Sequence, residues 1–256
     1  MRLSEKVIVI TGGTSGIGAA IAKAVIREGG KVLVHGINEE EGASLVAKLG
    51  KNSHLCIADL REESAPQKIV EACLTQFGRI DGIVNNAAII KNANIKTLTM
   101  EHYQEIMQVN LTSALFLFHA AFAELRKSGG SVLNIGSINA YAGESSLLAY
   151  SIAKGGLQTM TRNLANAHGV DGIRVNLINP GWVLTEREEK HKIASGMEPG
   201  WPNRLSRTDI PFGKMTTPEQ LAEAAIYWLG DESKPFTGAV VELEQFSIIG
   251  RNPEKL

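Results

Sequence analysis

Tyr150 and Lys154 stand four residues apart in a stretch, 149–154, whose composition favours a helix. Side chains at positions i and i+4 lie on the same helix face, so the ammonium can lie beside the phenol. A nearby positive charge favours the ionised tyrosine and lowers its pKa from about 10. The pair therefore predicts a proton donor or acceptor that works near neutral pH, although such pairs also occur on plain surfaces.

A glycine-rich turn lies much earlier, between the first predicted strand and the first predicted helix. It runs from Thr11 to Gly18, with the spacing Gly-x-x-x-Gly-x-Gly rather than Gly-x-Gly-x-x-Gly. Glycines permit a tight turn and a close backbone approach to a pyrophosphate, and a helix N-terminus supplies amide donors. The turn predicts a nucleotide site, and no Lys-Ser/Thr pair follows it as in a P-loop. The alternative is a tight loop without a ligand.

Strands and helices alternate along the chain, and several strands are apolar throughout, which is typical of a parallel sheet covered on both faces. Strands are predicted near 7–10, 32–34, 54–58, 82–85, 131–135, 173–178 and 239–243. Helices are predicted near 19–28, 38–49, 64–77, 100–127, 148–167 and from 218 onward, with a bend near Asn110. The sequence thus predicts an α/β fold, a doubly wound, Rossmann-type parallel sheet of about seven strands in three layers. Ligands bind such sheets at the carboxyl ends of the strands.

Residues 1–256 are predicted to form a single domain, since no linker or internal repeat divides them. The exception to the regular alternation is the polar segment 182–217, with several glycines and prolines. Its charged run 186–192 predicts a solvated helix. Because long connections in compact domains are often functional, a mobile substrate lid is expected near 186–213.

Composition narrows the possible partners. The formal net charge of −1 gives no reason to expect nucleic acid or an anionic membrane, and no apolar run reaches about 18 residues. Cys56 and Cys73 lack metal-ligand spacing and are expected to be buried free thiols. Residues 1–6 are short and polar, which predicts no signal peptide and a cytoplasmic protein. No metal site is predicted.

Taken in order, these motifs resemble those of the classical short-chain dehydrogenase/reductase family, and the resemblance covers nearly the whole chain. The family's catalytic asparagine, serine and Tyr-x-x-x-Lys match Asn110, Ser137, Tyr150 and Lys154, with Ser137 thirteen residues before Tyr150. The family's Asn-Asn-Ala-Gly motif is present at 85–88 with alanine in the last position. The cofactor-binding residues that the resemblance implies are Gly12, Ser15, Gly16, Ile17, Gly18, Asn38, Asp59, Leu60, Asn86, Ala87, Tyr150, Lys154, Pro180, Gly181, Val183 and Thr185.

The resemblance implies an NAD(P)-dependent oxidoreductase that transfers a hydride between the nicotinamide and a secondary alcohol or carbonyl. Tyr150 is then the base, or the acid in reduction, and Lys154 lowers its pKa and holds the nicotinamide ribose. Ser137 holds the substrate oxygen and stabilises developing charge. Asn110 holds a water that links Lys154 to solvent. Plain structural alternatives are a helix-bending Asn110 and a strand-capping Ser137.

The choice between NAD and NADP depends on residues after the second strand. NAD-preferring members of the family usually carry an acid there, and NADP-preferring members an arginine just beyond or a basic residue in the glycine turn. Here the positions hold His35, Gly36, Ile37 and Asn38, with His35 as the one side chain that could carry positive charge. We expect NAD, with NADP as the alternative, and Asn38 as a ribose ligand.

The substrate is predicted from the polar stretch between Ser137 and Tyr150 and from the tryptophans of the lid. The candidate substrate residues are Ser137, Asn139, Glu144 and Trp182; Ser145, Ser146, Met197 and Trp201 accompany them. A polar wall suits sugars or polyols, and tryptophan faces can stack on a sugar or simply pin a loop. The alternatives are a 3-oxoacyl-(acyl-carrier-protein) reductase and, in a different class, a nucleotide-binding regulatory module without catalysis.

The C-terminal end departs from the family. Its usual Asp-Gly-Gly turn after the last strand is replaced by Glu244-Gln245-Phe246. Arg251 and its neighbours are hypothesised to reach an active site, their own or that of a neighbouring subunit. The resemblance implies a homotetramer, or a homodimer, paired through the long middle helices and the last helix and strand. The apolar helix 220–228 is a candidate for that contact.

Overall fold

The computed structural model describes residues 1–246 as one seven-stranded parallel sheet with helices on both faces. The sheet order is β3-β2-β1-β4-β5-β6-β7. The strands are β1 (Val7–Ile10), β2 (Lys31–Gly36), β3 (Ser53–Ile57), β4 (Gly82–Asn85), β5 (Ser131–Ile135), β6 (Arg174–Pro180) and β7 (Val240–Leu243). The strand order reverses direction between β1 and β4, which is where doubly wound sheets bind ligands. The predicted fold class is confirmed.

Helices follow the strands as right-handed crossovers require. They are α1 (Gly16–Arg27), α2 (Glu39–Leu49), α3 (Ala65–Phe77), α4 (Met100–Met107), α5 (Ser113–Ser128), α6 (Asn139–Ala142), α7 (Leu148–His168), α8 (Glu186–Ala194) and α9 (Pro218–Leu229). One apolar core joins the sheet to α1 and α9, and another joins its opposite face to α3, α5 and α7. Two cores on two faces give the three layers.

The bend predicted near Asn110 is a π-helical turn, Gln108–Thr112, between α4 and α5. Together the three elements form one helix, Met100–Ser128, which by length and composition alone could cross a membrane. That was not expected from the sequence. The helix packs on the sheet through Leu117, Ala121 and Leu125, and core helices of globular proteins pass the same test.

The connection between β6 and α9, residues 181–217, has a small apolar core of its own. Trp201, Ile210 and Met215 are buried there, with Trp182 and Leu184 packed against them. The charged run forms α8, in which none of the residues is buried, as predicted for a solvated helix. This connection is therefore a folded unit rather than a bare loop.

Two further expectations concern cysteines and the C-terminal end. Cys56 and Cys73 are both buried and free, as predicted. The hypothesis about Arg251 falls outside the described residues. Within residues 1–246 no group of three or more His, Cys, Asp or Glu side chains comes together as a metal site.

Candidate functional site

The glycine turn is fixed at the sheet edge by the end of β4. The Thr11 hydroxyl accepts hydrogen bonds from the backbone N–H groups of Asn86 and Ala87, both at 3.1 Å. The Asn86 carboxamide nitrogen donates to the carbonyls of Thr11 and Gly12, at 3.0 and 2.9 Å. These contacts anchor the turn before any ligand is considered. Asn86 and Ala87, predicted as cofactor residues, thus hold the turn in place.

His35, at the end of β2, anchors the same turn from the other side. Its Nε2 lies 2.9 Å from the carbonyl oxygen of Ala58, and its Nδ1 accepts from the backbone N–H of Gly12 at 3.3 Å. A carbonyl oxygen only accepts, so Nε2 carries the proton. Because Nδ1 accepts, it carries no proton, and the ring is neutral. Burial lowers the pKa of His35 further. The possibility that His35 is a cation for a 2′-phosphate is therefore wrong.

Close contacts show why the turn needs glycines. A Cβ at Gly12 would lie 2.8 Å from the Ala87 Cα, and one at Gly18 would lie 2.2 Å from the Gly12 carbonyl oxygen. Gly16 has φ of +53°, and its Cβ position faces Thr185 at 3.5 Å. The turn thus presents bare backbone at the start of α1. This cradle fits a dinucleotide pyrophosphate.

A second helix begins beside this cradle. Thr185 is the N-cap of α8, and its hydroxyl accepts from the backbone N–H of Glu188 at 3.1 Å. Gly16 begins α1, and a Cβ built there would lie 3.5 Å from Thr185 Cγ2, so the N-termini of the two helices lie close together. Both carry partial positive charge, which favours an anion between them.

Tyr150, Lys154 and Ser137 come together on the same edge of the sheet. Tyr150 and Lys154 are 7% and 2% exposed, and Ser137 hydrogen-bonds the Tyr150 side chain. The Lys154 ammonium donates to the carbonyl oxygen of Ile135 at 2.6 Å and lies 5.6 Å from the centre of the Tyr150 ring. The ammonium therefore lies near the face of the phenol ring, as the helical spacing predicts.

The predicted direction of the Tyr150 pKa is wrong. Burial raises the pKa of Tyr150 to about 12, and the Ser137 hydrogen bond opposes this only in part. Burial also lowers the pKa of Lys154 to about 8. Desolvation penalises both charged forms, and here it outweighs the attraction expected between an ammonium and a phenolate.

Ser137 is supported from behind by Asn179, a residue that the sequence did not mark as functional. Its carboxamide oxygen accepts from the backbone N–H of Ser137 at 2.8 Å, and Asn179 is fully buried. A Cβ at Gly136 would lie 2.0 Å from that oxygen. A buried asparagine at the end of β6, just before Pro180, was the available signal.

Asn110 lies in the π-helical turn, and its side chain hydrogen-bonds the chain that follows β4. Its carboxamide oxygen accepts from the backbone N–H of Ile89 at 2.8 Å, and its nitrogen donates to the Ile89 carbonyl at 2.9 Å. These two bonds tie the helix to the chain after β4. The role of Asn110 in holding a water stays a prediction.

Comparisons with known proteins show the family of this chain. A family model described as enoyl-(acyl carrier protein) reductase matches residues 12–244. An uncharacterized oxidoreductase of Methylorubrum extorquens is 35% identical over 245 residues, covering 94% of this chain and 96% of that protein. The chain belongs to the classical short-chain dehydrogenase/reductase family.

Other members of this family are similar along most of their length. L-fucose dehydrogenase of Mus musculus is 34% identical over 238 residues, covering 93% of this chain and 86% of that protein. The 3-oxoacyl-(acyl-carrier-protein) reductase FabG of Chlamydia muridarum is 30% identical over 247 residues, covering 94% and 97%. This short-chain dehydrogenase is accordingly an NAD(P)-dependent oxidoreductase that acts on CH–OH groups.

Several residues predicted to bind the adenosine half of the cofactor make contacts within the chain of this short-chain dehydrogenase. The Asp59 carboxylate is held by Arg61, whose Nε lies 2.9 Å from Oδ2, and this lowers the pKa of Asp59. The Leu60 side chain is buried in the core. Asn38 caps α2 by accepting from the Glu41 N–H at 3.1 Å. Ser15 precedes α1 without a side-chain capping bond.

The remaining predicted cofactor residues lie along the edge between α1 and the 181–217 connection. Ile17 is in the first turn of α1. The Pro180 carbonyl accepts from the Ile138 N–H at 3.1 Å, and the Gly181 N–H donates to Leu243 at 3.1 Å. Val183 is buried and bridges to Thr216.

The predicted substrate residues divide into two groups. The Asn139 backbone N–H donates to the Ser137 hydroxyl at 3.1 Å, and its carboxamide lies 3.4 Å from Glu144 Oε2. These polar groups lie next to the candidate catalytic residues. Trp182 instead stacks on Trp201, with ring centres 5.2 Å apart. Of the two alternatives for Trp201, its burial favours the one in which it pins the connection.

Burial of Lys154 predicts a specific pH dependence of stability. The pKa of Lys154 falls from 10.5 to about 8 on folding, so between those values the unfolded chain binds more protons and stability rises with pH. Tyr150 begins to oppose this only near pH 10, its ordinary pKa. The free energy of unfolding, measured by urea titration from pH 8 to 10, is expected to rise by up to about 1.4 kcal/mol per pH unit relative to Lys154→Met.

The matched control is Lys127→Met, since Lys127 lies on α5 with 74% of its side chain exposed. It should keep the wild-type slope. Parallel pH profiles for wild type and Lys154→Met would contradict the lowered pKa of Lys154.

Proposed function

We propose that Tyr150 exchanges a proton with the substrate oxygen while a hydride moves between the substrate carbon and the cofactor. The observation that carries this proposal is the group formed by Ser137 with the buried Tyr150 and Lys154, beside the glycine cradle. When bound, a nicotinamide dinucleotide supplies the hydride acceptor or donor. Its pyrophosphate and riboses are proposed to be held by the glycine turn, by the Asn38 side chain and by Thr185.

The proton step is assigned to groups of the chain. In reduction, Tyr150 gives its hydroxyl proton to the carbonyl oxygen that gains charge, and in oxidation it takes the proton of the alcohol. A pKa of about 12 keeps Tyr150 protonated at neutral pH, which suits the reduction step directly. The Ser137 hydroxyl donates to the same substrate oxygen, and Lys154 stabilises phenolate charge below its pKa of about 8.

The substrate is proposed to be a small polar secondary alcohol or its carbonyl, such as a sugar or polyol. Support comes from the polar groups beside Ser137: the Asn139 carboxamide, the Glu144 carboxylate and the Ser146 hydroxyl, which donates to Glu144 at 3.1 Å. These groups can exchange their mutual hydrogen bonds for bonds to sugar hydroxyls. Similarity to L-fucose dehydrogenase agrees with that chemistry.

The purified protein is expected to oxidise sugars or polyols with NAD. The reaction is measured by the absorbance of the reduced cofactor. In Tyr150→Phe the phenyl ring remains and the proton carrier is lost, so kcat should fall by about 10²–10⁴-fold. Cofactor affinity, measured by fluorescence titration, should change little.

Tyr141→Phe is the matched control, because Tyr141 lies on α6 outside the buried group. It should retain activity. Full turnover by Tyr150→Phe would refute the assignment, and activity with 3-oxoacyl esters but with none of the sugars or polyols would refute the substrate class.

NAD is proposed as the preferred cofactor. Three glutamates, Glu39, Glu40 and Glu41, form the first turn of α2 directly after Asn38. The extra 2′-phosphate of NADP is expected near this turn, where the carboxylates repel it. His35 is neutral and cannot compensate. The free side of the Asn38 carboxamide can instead hydrogen-bond a ribose hydroxyl.

Ile37→Arg tests this proposal, because Ile37 is 70% exposed between β2 and α2. A guanidinium there can bind the 2′-phosphate, so the ratio of kcat/KM for NADP to that for NAD should rise about tenfold or more. Val170→Arg makes the same charge change at a 92% exposed site after α7 and should leave the ratio unchanged. Wild-type preference for NADP would contradict the proposal.

A homotetramer, or at least a homodimer, is proposed through the long middle helices. Leu115 and Phe116 on α5 and Ile152 on α7 are 40%, 52% and 44% exposed, which leaves apolar area for a partner surface. Sedimentation equilibrium is expected to give a mass of two or four chains. Phe116→Glu, which places a charge in the proposed contact, should lower this mass. Val170→Glu is the control and should leave the mass unchanged. A monomeric wild type would refute this assembly.

A further inference from the structure

Glu244, just after β7, binds the beginning of the 181–217 connection. Its Oε2 accepts from the backbone N–H of Trp182 at 3.0 Å, and its Oε1 accepts from the N–H of Gln245 at 2.6 Å. One carboxylate thus joins two chain segments that are about 60 residues apart. Hydrogen bonds to a charged acceptor are stronger than those between neutral groups.

Gln245 binds the other end of the same connection. Its carboxamide oxygen accepts from the backbone N–H of Phe212 at 3.0 Å, and its nitrogen donates to the Lys214 carbonyl at 2.7 Å. Donor and acceptor are both used on backbone groups, as in a strand pair. Two adjacent side chains therefore hold both ends of residues 181–217.

Gly181 makes room for this arrangement. A Cβ on Gly181 would lie 1.4 Å from Glu244 Oε2, so a side chain at 181 and the Glu244 carboxylate exclude each other. The φ of Gly181 is not positive. Space, rather than backbone conformation, is what requires glycine here.

The connection can be oriented as a body because it has internal structure. Trp182 stacks on Trp201, and its indole N–H donates to Glu188 Oε1 at 2.8 Å. The Leu184 N–H donates to the Thr216 carbonyl at 2.9 Å and closes the base. Ties at the base therefore set the direction of the whole unit.

We propose that Glu244 and Gln245 are positioning residues that orient the 181–217 connection as a preformed lid beside Ser137 and Tyr150. This inference rests on the proposed function for the identity of the site beneath the lid. Neither side chain is assigned a contact with the reacting atoms. Gln245 stands where the family's turn usually has a glycine, which has no side chain to make its ties, whereas Glu244 stands where that turn usually has an aspartate.

Gln245→Ala tests the closing tie by amide hydrogen exchange of peptides from the lid. Loss of two backbone-directed hydrogen bonds should speed exchange near residues 183–216 by about tenfold or more, while sheet peptides stay unchanged. The KM for the alcohol should rise. Gln76→Ala on α3 is the matched control. Unchanged lid exchange in Gln245→Ala would refute the proposal.

A double-mutant cycle tests the Gly181–Glu244 contact. Gly181→Ala and Glu244→Ala should each speed lid exchange, because the first displaces the carboxylate that the second removes. In the double variant the new methyl group has space, so exchange should match that of Glu244→Ala alone. Additive effects would overturn the proposed tie.

Hydrogen exchange needs no substrate, which separates the two proposals. Faster lid exchange in these variants, with a wild type that turns over no alcohol or carbonyl, would sink the proposed function and leave the ties intact. Normal turnover by the wild type, with unchanged lid exchange in the variants, would refute the ties and leave the proposed function intact.

Discussion

A buried ammonium is the constraint around which the site is built. Lys154 is almost fully enclosed, and its hydrogen-bond acceptor is the carbonyl of Ile135 rather than a carboxylate. Desolvation therefore controls the charges of both Lys154 and Tyr150. Because no counter-charge among residues 1–246 contacts Lys154, the site depends on fixed dipoles. Asn179 provides one by holding the backbone of Ser137, so the hydroxyl is positioned before a substrate arrives.

The glycine turn illustrates how packing decides a motif. Position 12 has no room for a side chain because Ala87 lies against it. Position 18 has none because the Gly12 carbonyl lies against it. Three strands contribute, since β1 leads into the turn while His35 and Asn86 hold it from β2 and β4. These two contacts, together with the φ of +53° at Gly16, show where the turn needs glycine.

Much of the fold could be predicted because its signals are local. The bounds of β4 and β5 match the prediction. Each is a short apolar run, and glycines mark where it begins. The catalytic candidates were found by spacing and order. Properties that depend on burial were not predictable: the neutral state of His35 depends on the Ala58 carbonyl, which follows β3. The Trp182–Trp201 stack likewise joins residues that no periodicity relates.

The π-helical turn at Gln108–Thr112 also has a consequence for the shape of the molecule. A helix advances about 100° per residue, so the wider turn holds one more residue and changes the rotational phase between α4 and α5. The apolar stripe of α5 can then face the sheet through Leu117 and Leu125, while Ile106 of α4 faces α7. One continuous rod thereby serves two packing surfaces that point in different directions. Removing a residue from this turn would rotate one half against its neighbours, so the length of the segment is as constrained as its composition.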